Sequence, residues 1–259
     1  MSERLSPRQI PKGTDGAKLR KWSMIFLIAG IVGRCILQNA LLGANGLNSE
    51  ELAAAVEAIP GGMGILTAAL ICQLAETCAA PLLAFLLVEG YQRTSGFERY
   101  LARIVGLAVV SELPYNLAME GTVLHLGSRN PVFALVIGLV MLHFFSRFAD
   151  RGLKNTLMKM LIFAAAFLWC GMLSIDHGVC LVIFIGVLWL ARSKSNLRSL
   201  FAFCGAMACT LFDTYYIGAC LACIMLHRYN EERGEQNRKI NYAYYPVCLL
   251  LMGIAAKFL

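Results

Sequence analysis

Long apolar stretches separated by short polar connections make up most of this chain. The apolar residues do not follow the strict two-residue alternation of barrel strands, so the pattern predicts helices. Lipid cannot hydrogen-bond a peptide group, and only helices or closed barrels can therefore span a membrane. We expect an all-α fold, a polytopic transmembrane helical bundle of about nine spans. The predicted spans are residues 22–42, 62–88, 100–118, 131–148, 157–175, 177–192, 197–212, 214–228 and 243–258.

The composition excludes an ordinary soluble domain. Hydrophobic residues make up 58% of the chain and charged residues 15%, and the mean hydropathy is +0.64. The apolar share of a soluble domain is only about 45–50%. The expected partner is the membrane lipid bilayer, and no nucleic-acid partner is expected. The ten cysteines lie in apolar stretches without metal-ligand spacing, so we expect them to pack helices and expect no metal site.

The basic residues mark alternate connections. All but three of the 23 Lys and Arg residues lie in the N-terminal tail or in every second connection between spans. Short cytoplasmic loops carry an excess of Lys and Arg, so the pattern predicts an N-in, C-out topology. We divide the chain into a basic cytoplasmic tail, residues 1–21, and a single integral membrane domain, residues 22–259. The positive inner side suits anionic lipid and also the phosphates of a cytosolic cofactor.

A short additional helix is predicted near residues 48–59, in the first outer connection. Asn48 and Glu51 have the spacing of a capping box. Apolar residues at 52, 56 and 59 then fall on one side of the helix, which predicts that it lies in the outer membrane interface.

Three ionisable residues lie within the apolar spans at a similar depth. Arg34, Glu76 and Glu112 are each twelve residues from the inner end of their predicted spans, which is roughly 18 Å along a helix. A charge in hydrocarbon costs about 3 kcal/mol on insertion scales, so we expect Arg34 to pair with Glu76 or Glu112. One interpretation is an ion pair that holds the first three helices together. The other is a polar pocket that binds substrate or moves protons.

Further polar residues and two prolines accompany these charges. Gln38 and Gln73 lie one turn farther out than the buried arginine and the first buried glutamate, which favours a polar cavity. Pro81 and Pro114 each follow a buried acid by a few residues. Because proline lacks a backbone donor, we expect both to bend their helices and free a carbonyl nearby.

Two acidic residues occupy predicted outer turns. Asp176 precedes the sixth span and Asp213 the eighth, where a carboxylate can cap the helix that follows. His177, directly after Asp176, has a second interpretation. An imidazole titrates near neutral pH, so it can act as a general base or a proton relay.

Four blocks of sequence occur in a characteristic order. They are PLLAFLLVEGY at 81–91, SELPYNL at 111–117, NPVFALVIGL at 130–139 followed by DHGVCLV at 176–182, and YYPVCLLL at 244–251. In this order they resemble the TraX family of membrane proteins, named for the factor that acetylates the N-terminus of F-type pilin. The first span differs, because family members usually carry Asp-His-Ile-Gly there, whereas this chain has Ile-Val-Gly-Arg at 31–34.

The resemblance implies a multi-pass protein of the bacterial plasma membrane. It also implies transfer of an acetyl group from acetyl-CoA to an amine or hydroxyl of an acceptor that the sequence does not identify. Glu89, Ser111, Glu112 and Asn116 match the family pattern, and the resemblance therefore implies that they lie at the site.

The sequence is compatible with two functions. A membrane acyltransferase would use Glu112, Asp176 and His177 for catalysis. Its substrate would contact the polar residues of the pocket, namely Arg34, Gln38, Gln73, Glu76, Glu89, Ser111 and Asn116. A non-enzymatic membrane carrier or assembly protein would instead use the same Arg and Glu pocket to hold an anionic solute or to join helices.

Overall fold

Helices form the framework of the protein. The computed structural model describes residues 13–125, 127–150, 152–235 and 238–259. The α-helices are α1 (Gly16–Ile31), α2 (Ser49–Ala58), α3 (Gly62–Glu76), α4 (Ala79–Gln92), α5 (Phe97–Glu120), α6 (Val132–Arg147), α7 (Leu153–Met172), α8 (Gly178–Leu190), α9 (Arg198–Cys209), α10 (Cys220–His227) and α11 (Arg238–Ala255). Within these residues the only extended pairing is two isolated bridges. The predicted all-α membrane bundle is confirmed.

The lengths of the helices differ, and this difference positions the site. Four of the described helical stretches are long and apolar enough to cross a membrane, namely Gly16–Leu41, Gly62–Gln92, Phe97–Glu120 and Leu153–Met172. The other apolar helices contain 10–17 residues. At 1.5 Å per residue, α8 is about 20 Å long, whereas α5 is about 36 Å long. The turn that precedes α8 lies beside the C-terminal part of α5, where the hydroxyl of Tyr115 donates to Asp176 at 2.8 Å.

Two helices occupy the centre of the bundle. Most side chains of α4 and α8 are buried, because both helices are apolar on every side and have no polar face to expose. Leu82 of α4, Leu139 of α6 and Phe184 of α8 are fully buried in this core. On α7, by contrast, Leu153 and Met172 are 78% and 83% exposed, which suits contact with lipid.

The first two predicted spans are not regular helices. α1 continues as a π-helix over Val32–Leu41, a form that is rare and frequently found at functional sites. The second span breaks at Thr77, between α3 and α4, just before Pro81. Proline cannot donate to Thr77, whose carbonyl instead accepts from the N–H of Ala80 at 3.3 Å. Pro114, by contrast, lies inside a continuous α5.

The capping predictions have mixed outcomes. Asn48 and Glu51 form the predicted capping box of α2. Asp213 caps a short 3-10 segment, Thr214–Ala219, by accepting from the N–H of Tyr215 at 2.9 Å. Asp176 is not a cap, because no side chain caps α8 and the Asp176 carboxylate binds partners elsewhere.

Candidate functional site

Arg34 is the centre of a partly buried ionic cluster. Its Nη1 donates to Oδ2 of Asp176 at 2.6 Å, and its Nη2 donates to Oε1 of Glu76 at 3.0 Å. The sequence suggested Glu76 or Glu112 as the partner of Arg34, and the partner in the structure is Glu76. The side chains of Arg34, Asp176 and Glu76 are 23%, 21% and 9% exposed. The cluster joins the π-helix after α1, the end of α3 and the turn before α8.

A glycine makes this ion pair possible. A Cβ atom at Gly30 would overlap the carboxyl group of Glu76. Because Gly30 has no side chain, Glu76 can cross the surface of α1 and reach the guanidinium of Arg34. Small residues commonly allow membrane helices to approach each other in this way.

His177 is held between two partners. Its Nε2 lies 3.3 Å from Nη2 of Arg34, and its Nδ1 lies 3.0 Å from the hydroxyl of Tyr216. Arginine can only donate, so Nε2 accepts, and the proton of the neutral ring belongs on Nδ1. The backbone of His177 is in the left-handed region, with φ of 54°. Such a conformation costs roughly 1–3 kcal/mol in a non-glycine residue and is found mainly at functional positions.

The cluster has an excess of negative charge. Two carboxylates, Glu76 and Asp176, share the one guanidinium of Arg34, so the net charge is −1 while His177 is neutral. Oδ1 of Asp176 lies 3.8 Å from Nε2 of His177. A proton on Nε2 of His177 would bring the net charge of the cluster to zero. The hydroxyl of Tyr115 donates to Asp176 at 2.8 Å.

Glu112 belongs to a separate network. Its Oε1 lies 3.4 Å from Nη1 of Arg129, and its Oε2 accepts from the Asn130 side chain at 2.6 Å. Asn130 also accepts from the N–H of Val132 at the start of α6. The expectation that Glu112 joins an ion-pair hub with Arg34 and Glu76 is therefore wrong. Glu112 instead ties α5 to the beginning of α6, because its carboxylate is occupied there.

The other predicted site residues are distributed around the cluster. Gln73 donates to Gln38 at 2.8 Å, about one helical turn from Glu76 and Arg34. On α5, the hydroxyl of Ser111 and Oδ1 of Asn116 are buried without a hydrogen-bond partner among the residues that the structure describes. Buried polar atoms usually have a partner, so both are available to a ligand or to water.

Glu89 lies away from the cluster, near the C-terminal end of α4. It pairs with Arg93 at 2.8 Å and accepts from the hydroxyl of Tyr229. Burial, together with this bond to Glu89, raises the pKa of Tyr229. These residues connect α4 to the segment that follows α10.

A cavity of about 790 Å³ opens below the cluster, on the side of the basic connections. Its rim carries five arginines, Arg20, Arg93, Arg99, Arg103 and Arg233. Its walls are mainly apolar and come from α1, α4, α5, α6 and α11. The lining residues nearest the cluster are Ile31, Leu181 and Tyr245. Ile31 is one turn before Arg34, and Leu181 is one turn after His177.

Three tyrosines were not predicted from the sequence. Tyr115 and Tyr216 bind the cluster directly. Tyr245 lines the cavity and is close enough to Arg34 and Glu76 for its hydroxyl to interact with their charges. The available signal was weak, because a tyrosine in an apolar helix needs a polar partner only when it is buried.

The fold and the site define a helical membrane protein with a partly buried Arg–Asp–His–Tyr cluster above a cavity rimmed by arginines. The family model described as TraX protein matches residues 53–256. The chain belongs to the TraX family, as the four sequence blocks indicated. It is also similar to the probable fimbrial assembly protein FimC, serogroup H1, of Dichelobacter nodosus, with 26% identity over 202 residues, covering 69% of this chain and 80% of that protein. No solved structure matches.

Proposed function

We propose that this protein is a membrane acyltransferase that moves an acyl group from acyl-CoA to an amine or hydroxyl of a protein or small molecule. The observation that carries the proposal is the setting of His177. Its ring is held by Tyr216 and Arg34 and faces Asp176 inside a partly buried cluster. An imidazole fixed beside a carboxylate is suited to general-base catalysis.

In the proposed reaction, Nε2 of His177 takes the proton of the acceptor's amine or hydroxyl. The acceptor displaces Arg34 from this nitrogen as it binds. The acceptor atom then bonds to the acyl carbon, the carbon–sulfur bond breaks, and the leaving thiolate of CoA takes the proton from Nε2 of His177 and becomes the thiol. The acyl group is activated as a thioester, so no metal or redox partner is needed to balance the step.

Asp176 and Arg34 have separate roles in this proposal. Asp176 stabilises the imidazolium that forms when His177 takes the proton, because the two side chains are 3.8 Å apart. Nε of Arg34 is buried without a hydrogen-bond partner among the described residues. A preorganised donor of this kind stabilises the negative charge that develops on the carbonyl oxygen during acyl transfer.

The proposal includes the orientation of the protein in a bacterial plasma membrane, with nine passes, the N-terminus inside and the C-terminus outside. Two bridges agree with the predicted grouping of segments by side. Thr14 pairs with Tyr229, and both belong to segments predicted to be cytoplasmic. Arg129 pairs with Ile175. Arg129 belongs to a connection predicted to be outside, and Ile175 is the last residue, at the outer end, of the fifth predicted span. The structure thus pairs segments that the charge pattern assigns to the same side.

The test uses purified protein, labelled acetyl-CoA and envelope extract of the host as the source of acceptor. We expect His177→Gln to reduce the rate of transfer by about 10²- to 10⁴-fold, the usual contribution of a general base. His143→Gln is the matched control, because His143 lies on α6 and stacks on Phe97. Undiminished transfer by a folded His177→Gln protein would refute the proposal, as would the absence of transfer by the wild type.

A second candidate function is non-enzymatic assembly of a surface filament. The similarity to a protein named as a probable fimbrial assembly protein favours it. In this case the ionic cluster is structural. Filament formation in a deletion strain would then be restored equally by wild type and by His177→Gln, whereas the acyltransferase requires the histidine.

A further inference from the structure

The cavity below the cluster has two chemically different parts. Its mouth carries the five arginines of the rim, with Glu89 as the only acidic lining residue among the described part of the chain. Deeper positions are aliphatic, including Leu27, Leu86, Leu107 and Leu135. A ligand that matches both parts has several negative charges at one end and a slender, mostly uncharged arm at the other.

Three of the rim arginines are well placed to bind an anion. Arg20, Arg99 and Arg103 have no carboxylate within salt-bridge distance among the residues described. Charge-assisted contacts between arginine and phosphate are among the strongest hydrogen bonds in proteins. Nδ2 of Asn241, another lining residue, is buried without a partner in the described structure. It is a donor available to a carbonyl or phosphate oxygen of the ligand.

The depth of the cavity matches the length of the pantetheine arm of CoA. The lining residues of α1 extend from Arg20 to Ile31, which is about 16 Å at 1.5 Å per residue. The pantetheine arm of CoA contains about thirteen bonds between its phosphate and its sulfur. An extended chain covers about 3.5 Å per three bonds, so the arm reaches roughly 15 Å.

We propose that this cavity is the binding site for a CoA thioester. The rim arginines hold the phosphates, the arm occupies the aliphatic part, and the thioester lies beside Ile31, Leu181 and Tyr245. The donor then reaches the cluster from the side of the basic connections. This inference rests on the proposed acyl transfer and adds the location of the donor and the residues that hold it.

The test is a binding titration, which needs no knowledge of the acceptor. Purified protein in nanodiscs of neutral phosphatidylcholine is titrated with CoA and with 3′,5′-ADP, which lacks the arm. We expect CoA to bind saturably and more tightly than 3′,5′-ADP. The double variant Arg99→Gln and Arg103→Gln should weaken CoA binding by about tenfold or more, because the loss of a single arginine–phosphate contact already costs about that factor.

Two matched controls are needed. One distinguishes the effect of the rim arginines from that of overall charge, and the other distinguishes filling of the cavity from the general effect of a tryptophan. Arg147→Gln combined with Lys154→Gln removes the same charge from basic connections that do not line the cavity, and should leave the affinity nearly unchanged. Leu135→Trp fills the aliphatic part and should reduce the affinity for CoA to that for 3′,5′-ADP. Leu161→Trp, on the 63% exposed position of α7, should not.

Several results would overturn the inference. The first is that the rim variant and its charge control bind CoA with equal affinity. The second is that the two tryptophan variants have equal effects. The third is that the wild type does not bind CoA. Loss of CoA binding in phosphatidylglycerol nanodiscs at constant ionic strength would indicate a lipid head-group site instead. His177→Gln should bind CoA normally. Binding without transfer therefore refutes the proposed function alone, and transfer without dependence on the rim refutes this inference alone.

Discussion

Replacement of Arg34 by glutamine tests whether the ionic cluster is the element that joins the helices. The substitution removes the one cation between Glu76 and Asp176. Removing one partner of a buried pair costs about 3–5 kcal/mol, because the remaining charge is left uncompensated. Arg34 is 23% exposed, so water screens part of the effect, and we expect about 3 kcal/mol.

Thermal unfolding with a fluorogenic thiol reagent measures this loss directly. The chain has buried free cysteines, including Cys35, Cys78 and Cys170, that react only when the bundle opens. One kcal/mol shifts the midpoint of a chain of this size by about 2–4 °C, so Arg34→Gln should lower it by about 6–12 °C. Arg129→Gln is the control. Arg129 is 33% exposed and lies 3.4 Å from Glu112, whose carboxylate keeps its bond from Asn130, so the change should cost no more than about 1 kcal/mol.

A second substitution distinguishes electrostatics from packing. Asp176→Asn, added to Arg34→Gln, removes one of the two carboxylates that repel each other. We expect the double variant to be more stable than Arg34→Gln alone. Additive losses, or a midpoint for Arg34→Gln equal to that of Arg129→Gln, would contradict the electrostatic account of the cluster.

Two further predictions concern packing and topology. Gly218→Ala should lower the unfolding midpoint by several degrees, because a Cβ there would overlap the carbonyl of Leu74. Gly106→Ala is the control, because Gly106 has open space around it. Equal midpoints of the two variants would refute the close contact at Gly218. An impermeant maleimide applied to intact cells should label Glu57→Cys without permeabilisation, and Lys194→Cys only after permeabilisation. Labelling is measured against the background of the native cysteines. The reverse pattern would refute the N-in orientation.

Much of the fold was predictable because its cause is local. Apolar side chains and self-satisfied backbone hydrogen bonds are properties of each span alone, so helices appear where the hydropathy requires them. The capping box at Asn48 is equally local, since its donors and acceptors lie within four residues. The common depth of Arg34 and Glu76 also followed from residue counting, and the two side chains do meet.

The membership of the cluster depended on tertiary structure. Asp176 and His177 reach Arg34 because α8 is short and its preceding turn lies inside the bundle, more than 140 residues away along the chain. Residue counting assigned Glu112 the same depth as Glu76, yet Arg129 and Asn130 hold its carboxylate at the start of α6. Residue spacing determines the height of a charge along its helix. The direction that the charge faces depends on how the helices are packed around one another.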